Sequence, residues 1–173
     1  LLPIQVKCEC LDLESSPPAN LLSSTMQKDL LEKAESGSVD GCLAGPPCRT
    51  FSAVLYSGVP GPCPYRSREL PWGLPNLKNR AQERVDQDSF LIRSAVVFLQ
   101  ALAKRLGCWI LEHPEDRGRD PFPSLWLLDI VETLLEVGNG SMYSGDQCMR
   151  GANSVKPSTL AGNACDLDLF VQH

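Results

Sequence analysis

The side chains best suited to chemistry lie in one short stretch, Gly45-Pro46-Pro47-Cys48-Arg49-Thr50-Phe51-Ser52. It follows a short apolar run, Val39–Ala44, which predicts a buried strand. Two prolines fix φ and remove two backbone donors, so the turn is stiff. A stiff turn at the C-terminal end of a strand can hold a thiol in one place, where open α/β sheets gather their ligands. Cys48 is therefore a candidate nucleophile, and Arg49 sets a cation beside it, which favours a thiolate. The second candidate is Glu112. It ends another apolar run, Cys108-Trp109-Ile110-Leu111, and is followed by His113-Pro114. A carboxyl group at the end of a neighbouring strand can serve as the acid partner of a thiolate.

These residues need elements to position them. Ile4–Leu11 alternates well enough for a first strand, with Asp12 at its end. Ser15–Asn20 contains Pro17-Pro18 and reads as a loop. Thr25–Ser36 carries helix formers and stops before Gly37. Residues 53–79 are rich in Pro and Gly and read as a long, partly ordered loop. Arg80–Leu106 gives the strongest helical pattern. Its expected apolar face is Phe90, Ala95, Val97, Phe98, Ala101, Leu102 and Leu106, with a stop at Gly107. Asp88-Ser89 is a candidate break and cap within it. Ser124–Val137 predicts a further helix behind a Ser cap, with Leu125, Leu128, Val131, Leu134 and Leu135 apolar. The stretch Ser141–His173 reads as short β pieces, Leu167–Val171 the clearest. Strands alternating with helices argue one α/β domain over residues 1–173 with a mostly parallel sheet and flanking helices.

The composition is that of an ordinary globular protein: 43% hydrophobic and 21% charged over 173 residues. No apolar run reaches the length of a membrane span, and no secretory signal is visible. Eight cysteines are present, but no CxxC pair and only two histidines, so no metal site is expected. Cys42 and Cys108 fall in expected buried strands, and Cys8 and Cys10 share a strand face. This pattern suggests reduced thiols in an intracellular compartment. The net charge of −5 disfavours nucleic-acid binding by the chain as a whole. Its distribution is uneven. Residues 49–84 hold six basic and two acidic side chains, while both flanking segments are acidic. That basic segment, directly after Cys48, is either a solvated loop or a surface that meets phosphate.

Gly-Pro-Pro-Cys-x-x-Phe-Ser resembles the catalytic loop of the DNA cytosine-5 methyltransferases, departing at Arg49, where that family has glutamine. The resemblance runs in order over roughly residues 4–165 and is closest to divergent domains of the retroelement type. It implies that Cys48 attacks C6 of a cytosine, with Glu112 contacting the base at N3. It implies S-adenosylmethionine as cofactor, with Asp12 at the ribose, Asp29 at the adenine and Pro46 as a further cofactor contact. It implies DNA as partner, with Arg49, Ser52, Arg66, Arg68, Arg150 and Lys156 as candidate nucleic-acid contacts. The fold it implies is Rossmann-like. In that frame Ile4–Leu11 matches the family's second strand, so the sheet is incomplete at its N-terminal strand. The Phe-x-Gly-x-Gly cofactor turn is missing from this sequence, and the Glu-Asn-Val triplet of the family is here Glu112-His113-Pro114.

Those departures support a competing expectation, a non-catalytic relic of the fold acting as a structural or interaction subunit. Tyr56, Tyr65 and Trp72 would then be candidate anchors for a protein partner, or would pack back on the sheet. A thiol enzyme of another kind would need His113 or His173 as its base.

Overall fold

The structure is a computed structural model that describes residues 5–12, 14, 18–58, 60–146 and 155–170. Helix α1 spans Ser24–Ser36. The Ser23 side chain caps it by accepting from the Met26 amide, and Gly37 ends it in the left-handed region at φ 76°. Strand β1, Gly41–Ala44, follows. Helix α2 runs unbroken from Arg80 to Lys104, and β2 spans Cys108–Pro114. A 3-10 turn at Leu125–Leu127 leads into α3, Asp129–Val137. Strands β3, Ser141–Asp146, and β4, Pro157–Gly162, complete the sheet.

The result is an open four-stranded α/β sheet in the order β1-β2-β4-β3. Only β1 and β2 pair in parallel, with Ala44 opposite Leu111. β4 pairs antiparallel to both β2 and β3. The expected mostly parallel sheet is thus corrected. β1, β2 and β3 point the same way, but β4 inserts in reverse between the last two. The alternation of strand and helix predicts direction along β1–α2–β2 and β2–α3–β3. It carries no information about a later strand that slots between them.

Both α2 and α3 pack on one face of the sheet. Trp109, Leu111 and Ala161 from the sheet meet Ile92, Val96, Leu99 and Leu102 from α2 and Val131 and Leu134 from α3. Trp109 is the centre of this core. Its indole donates to the Gly138 carbonyl at 3.2 Å. A Cβ on Gly140 would come within 2.6 Å of its ring, so only glycine lets that chain pass. Along β2, burial alternates, with Trp109, Leu111 and His113 toward the helices and Glu112 on the opposite face.

Several expected elements differ. Residues 5–11 form no strand and are mostly exposed. A lone extended segment has no stable partner for its backbone, and among the described residues no strand pairs with it, though Glu9 meets Lys33 at 3.8 Å. The α2 face is rotated from the expected one. Phe90, Val97 and Leu106 are 40%, 48% and 93% exposed, and the buried stripe is Val85, Asp88, Ile92, Val96, Leu99 and Leu102. The helix is apolar on two sides because α1 also packs against it, and the two stripes blur in the sequence. Leu167–Phe170 is a 3-10 helix rather than a strand, with Val171 outside the described residues. Cys108 is exposed, and Cys42 is half-buried, which pushes its thiol up. The expected helix 124–137 shortens to α3, but its apolar positions Leu125, Leu128, Val131 and Leu134 are all buried. No helix among the described residues is long and apolar enough to cross a membrane.

The end of α2 is also built differently from expectation. Leu106, not Gly107, takes the left-handed conformation, at φ 62°. Gly107 serves close approach instead, because a Cβ there would lie 2.7 Å from Leu102 Cγ. A left-handed leucine with an exposed side chain costs the native state without burial in return. Leu106→Gly is expected to stabilise the protein by about 0.5–1 kcal/mol in urea unfolding. Leu106→Val, β-branched at the same φ, is expected to shift the midpoint the other way.

Candidate active site around Cys48

Because β1 and β2 run parallel, their C-terminal ends share one edge of the sheet. The Pro-Pro-Cys turn leaves β1 at that edge. Gly45 lies next to Glu112: a Cβ at Gly45 would sit 3.7 Å from Glu112 Oε2. Six residues later Phe51 is buried on the helix side, edge-on to His113 with ring centroids 5.0 Å apart. The turn therefore crosses over the end of the sheet between Glu112 on one face and His113 on the other. Half-buried Cys48 lies between these anchors, at the start of the 3-10 turn Arg49–Phe51. The structure brings Cys48 and Glu112 to the same sheet edge. It also brings Lys156 there, whose ammonium lies 3.3 Å from Glu112 Oε1. Lys156 is thus a partner of the acid as well as a candidate contact.

The turn is held from below by a buried polar network. Asp88, fully buried on α2, accepts from Arg49 Nε at 3.0 Å and Nη2 at 2.8 Å. Thr50 Oγ1 donates to the other Asp88 oxygen at 2.9 Å. Arg66 Nε donates to Thr50 Oγ1 at 3.0 Å, and its Nη atoms reach the Pro71 and Val85 carbonyls and Ser89 Oγ. The Arg66 guanidinium also lies over the Phe51 ring, 4.4 Å from its centre. Burial lowers the Arg66 pKa to about 10, against the pull of Asp88.

This network corrects several expectations. Arg66 is 0% exposed and fixes the turn from within, so it is no surface contact for phosphate. Arg49 turns its guanidinium to Asp88 rather than standing alone beside the sulfur. Asp88-Ser89 breaks no helix, because both side chains bond outward to Arg49, Thr50 and Arg66. The loop 53–79 is folded back on the domain. Tyr65 is buried, the Tyr56 hydroxyl donates to the Arg66 carbonyl, and Trp72 lies under Arg93 at 3.8 Å. These aromatics are therefore not protruding anchors. Arg68 is half-buried in a two-bond pair with Asp116 at 2.7 and 3.2 Å. Ser52 caps the next 3-10 turn by accepting from the Val54 amide. Arg150 and His173 lie outside the described residues.

The expected cofactor residues do not converge. Asp12 is exposed and closes a local turn by accepting from the Glu14 amide. Asp29 is exposed within α1, not on a loop at a strand end. Pro46 alone is at the Cys48 turn. Among the described residues no cluster of His, Cys, Asp and Glu could hold a metal.

Sequence reasoning missed Asp88 as an organiser. The signal was present: an acid at i+3 from Val85 and i−4 from Ile92 sits on an apolar stripe and must have a partner. It also left His113 as a candidate base. Burial, with Lys156 and Arg66 adding to it, pushes His113 down to about 3, although the Pro47 carbonyl favours the charged ring slightly. Neither ring nitrogen makes a hydrogen bond of normal geometry. Such a ring is neutral near pH 7 and a poor proton acceptor.

No family model, no curated protein and no solved structure matches this chain.

Asp88 is the buried acid that compensates the fully buried Arg66, and removing it leaves that cation and Thr50 without their counterpart. Asp88→Ala is expected to destabilise the fold by about 3–5 kcal/mol in urea. A loss below about 1 kcal/mol would show that Arg49 and Thr50 find water instead. The His113 shift gives a pH prediction. The unfolded ring takes up a proton below its ordinary 6.5, while the folded ring resists until about 3. Stability is therefore present above 6.5 and is lost as pH falls through that window. Between pH 7 and pH 5 the protein is expected to lose on the order of 2 kcal/mol that His113→Phe does not lose. Equal losses in the two proteins would place the acid sensitivity elsewhere.

Proposed function

We propose that this chain is a DNA cytosine-5 methyltransferase-like domain whose own residues activate the base. The observation that supports this reading is the placement of the Gly45–Ser52 turn at the shared end of two parallel strands, with the Glu112 carboxylate beside Gly45. A strand–helix–strand unit with its chemistry at the C-terminal strand ends is also what a Rossmann-like domain requires.

The chemistry needs only a thiolate and an acid at the ring edge. The Cys48 sulfur forms a bond to C6 of cytosine. The C5–C6 π electrons move to C5–C4, and charge collects on N3. Glu112, acting as the acid, donates a proton to N3 as that charge forms and takes it back when the sulfur leaves. The adduct is an enamine, nucleophilic at C5. In water C5 takes up a solvent proton, loses its original one, and the sulfur then leaves. S-adenosylmethionine is the methyl donor that the family resemblance implies. The residues expected to hold it do not fit: Asp12 and Asp29 are both exposed and separately engaged in a local turn and a helix. No step is therefore assigned to the cofactor.

That misfit favours a second reading, a non-catalytic subunit of a larger assembly. Calorimetric titration with S-adenosylmethionine separates the two. Saturable one-to-one binding supports a methyltransferase that holds its cofactor through other residues. No heat, together with no base activation, supports the subunit.

Base activation can be measured without any cofactor. In heavy water the protein is expected to exchange the C5 proton of cytosine in single-stranded DNA, followed by NMR. Cys48→Ser is expected to abolish the exchange, and Glu112→Gln to slow it by roughly 10²-fold or more. Full exchange by Cys48→Ser would sink the mechanism.

A further inference from the structure

Beside the Cys48 turn lies a cleft of about 290 Å³ lined by Arg49, Arg80, Glu83, Arg84 and Gln87. Four of these residues form one face of the first two turns of α2, spaced at three and four residues. Arg49 supplies the facing wall. Three guanidinium groups and one carboxylate leave the cleft with a net positive charge, in a chain whose total is −5. We infer that this cleft grips a phosphate of the nucleic-acid strand, next to the nucleotide presented to Cys48. The inference rests on the cytosine reading for the identity of its partner, single-stranded DNA, but not for the cleft itself.

Three features carry it. First, Arg80 and Arg84 sit at the positive end of a 25-residue helix, where cations are unfavourable for the helix alone. Their placement suits an anion there. Asn79 gives no side-chain cap, although the Ala81 amide is already bonded to the Lys78 carbonyl at 3.1 Å. Second, the arginines retain capacity. Arg49 binds Asp88 through Nε and Nη2, not Nη1, and its side chain is 55% exposed. Arg84 donates to the Tyr65 hydroxyl through Nη1 at 3.2 Å. Arginine forks match phosphate oxygens two at a time. Third, Arg49 is the residue after Cys48. One wall of the cleft and Cys48 therefore belong to the same turn. Holding that phosphate would keep the strand in place while the base enters.

The test is anisotropy of a short fluorescein-labelled single-stranded DNA over a series of salt concentrations. The double variant Arg80→Ala/Arg84→Ala is expected to lose affinity roughly tenfold. It is also expected to flatten the plot of log affinity against log salt by about 1.4. Arg80→Ala alone is expected to give about half of that change in slope. Because Arg84 also touches Tyr65, the single variant guards against a loss that comes only from packing. Arg117→Ala/Arg119→Ala, equally exposed arginines outside the cleft, is expected to bind as the wild type does. No binding by the wild type, or unchanged binding by the cleft variants, would overturn the inference. Tighter binding of the matched RNA would overturn DNA as the partner. Binding that depends on Arg80 and Arg84 in a protein that exchanges no C5 proton would uphold the cleft and sink the cytosine reading.

Discussion

One buried arginine organises this molecule. Arg66 comes from a loop that composition alone marks as irregular, yet it is fully buried and bonds to four separate places. Through Thr50 it meets Asp88, and Asp88 in turn holds Arg49. A charge of this kind is stable in a low-dielectric interior only if every donor is matched. That requirement fixes three segments at once: the turn after β1, the Tyr65–Trp72 segment, and the N-terminal half of α2. The position of Cys48 is therefore set by a salt-bridged network that begins at the next residue, Arg49, and not by the prolines alone.

The helix-borne parts of this design were legible in the sequence. Gly37 and Ser124 punctuate α1 and the turn before α3 as their residue types demand. The Leu125–Leu134 pattern reads correctly because α3 has one buried face. The α2 stripe misreads because the helix is packed on two sides, and periodicity cannot separate two overlapping stripes. The strand order misreads for a different reason. Pairing between β2 and β4 is settled by side chains far apart in the chain, such as His113 opposite Thr159, and no local pattern encodes that.

The candidate site divides in the same way. Cys48 and Glu112 were legible because each follows a short apolar run, and both runs became adjacent parallel strands. The basic residues were legible as a segment and illegible one by one. Arg66 is in the core, Arg68 closes a loop against Asp116, and Arg49 joins Arg80 and Arg84 at the cleft. Net charge along a sequence counts all of them alike. Only the fold decides which are exposed. The cofactor acids were placed by resemblance alone, and Asp12 and Asp29 carry no local pattern that requires them to meet.

Strand β1 has four residues, one neighbour, and a partner that lies across the whole of loop 53–79 and α2. β3 and β4, by contrast, are close in sequence and pair along six positions. Loop closure is costlier for the distant pair, so the β3–β4 ladder has the head start in folding and β1 joins late. What joins late and is held on one side is also what opens first. Local opening of β1 would stop at the Pro-Pro-Cys turn, because Arg49 and Thr50 just beyond it are bonded to Asp88 on α2. The amides of Cys42 to Ala44 then belong to a lightly latched edge of the sheet, and Cys48 lies between that edge and the anchored turn.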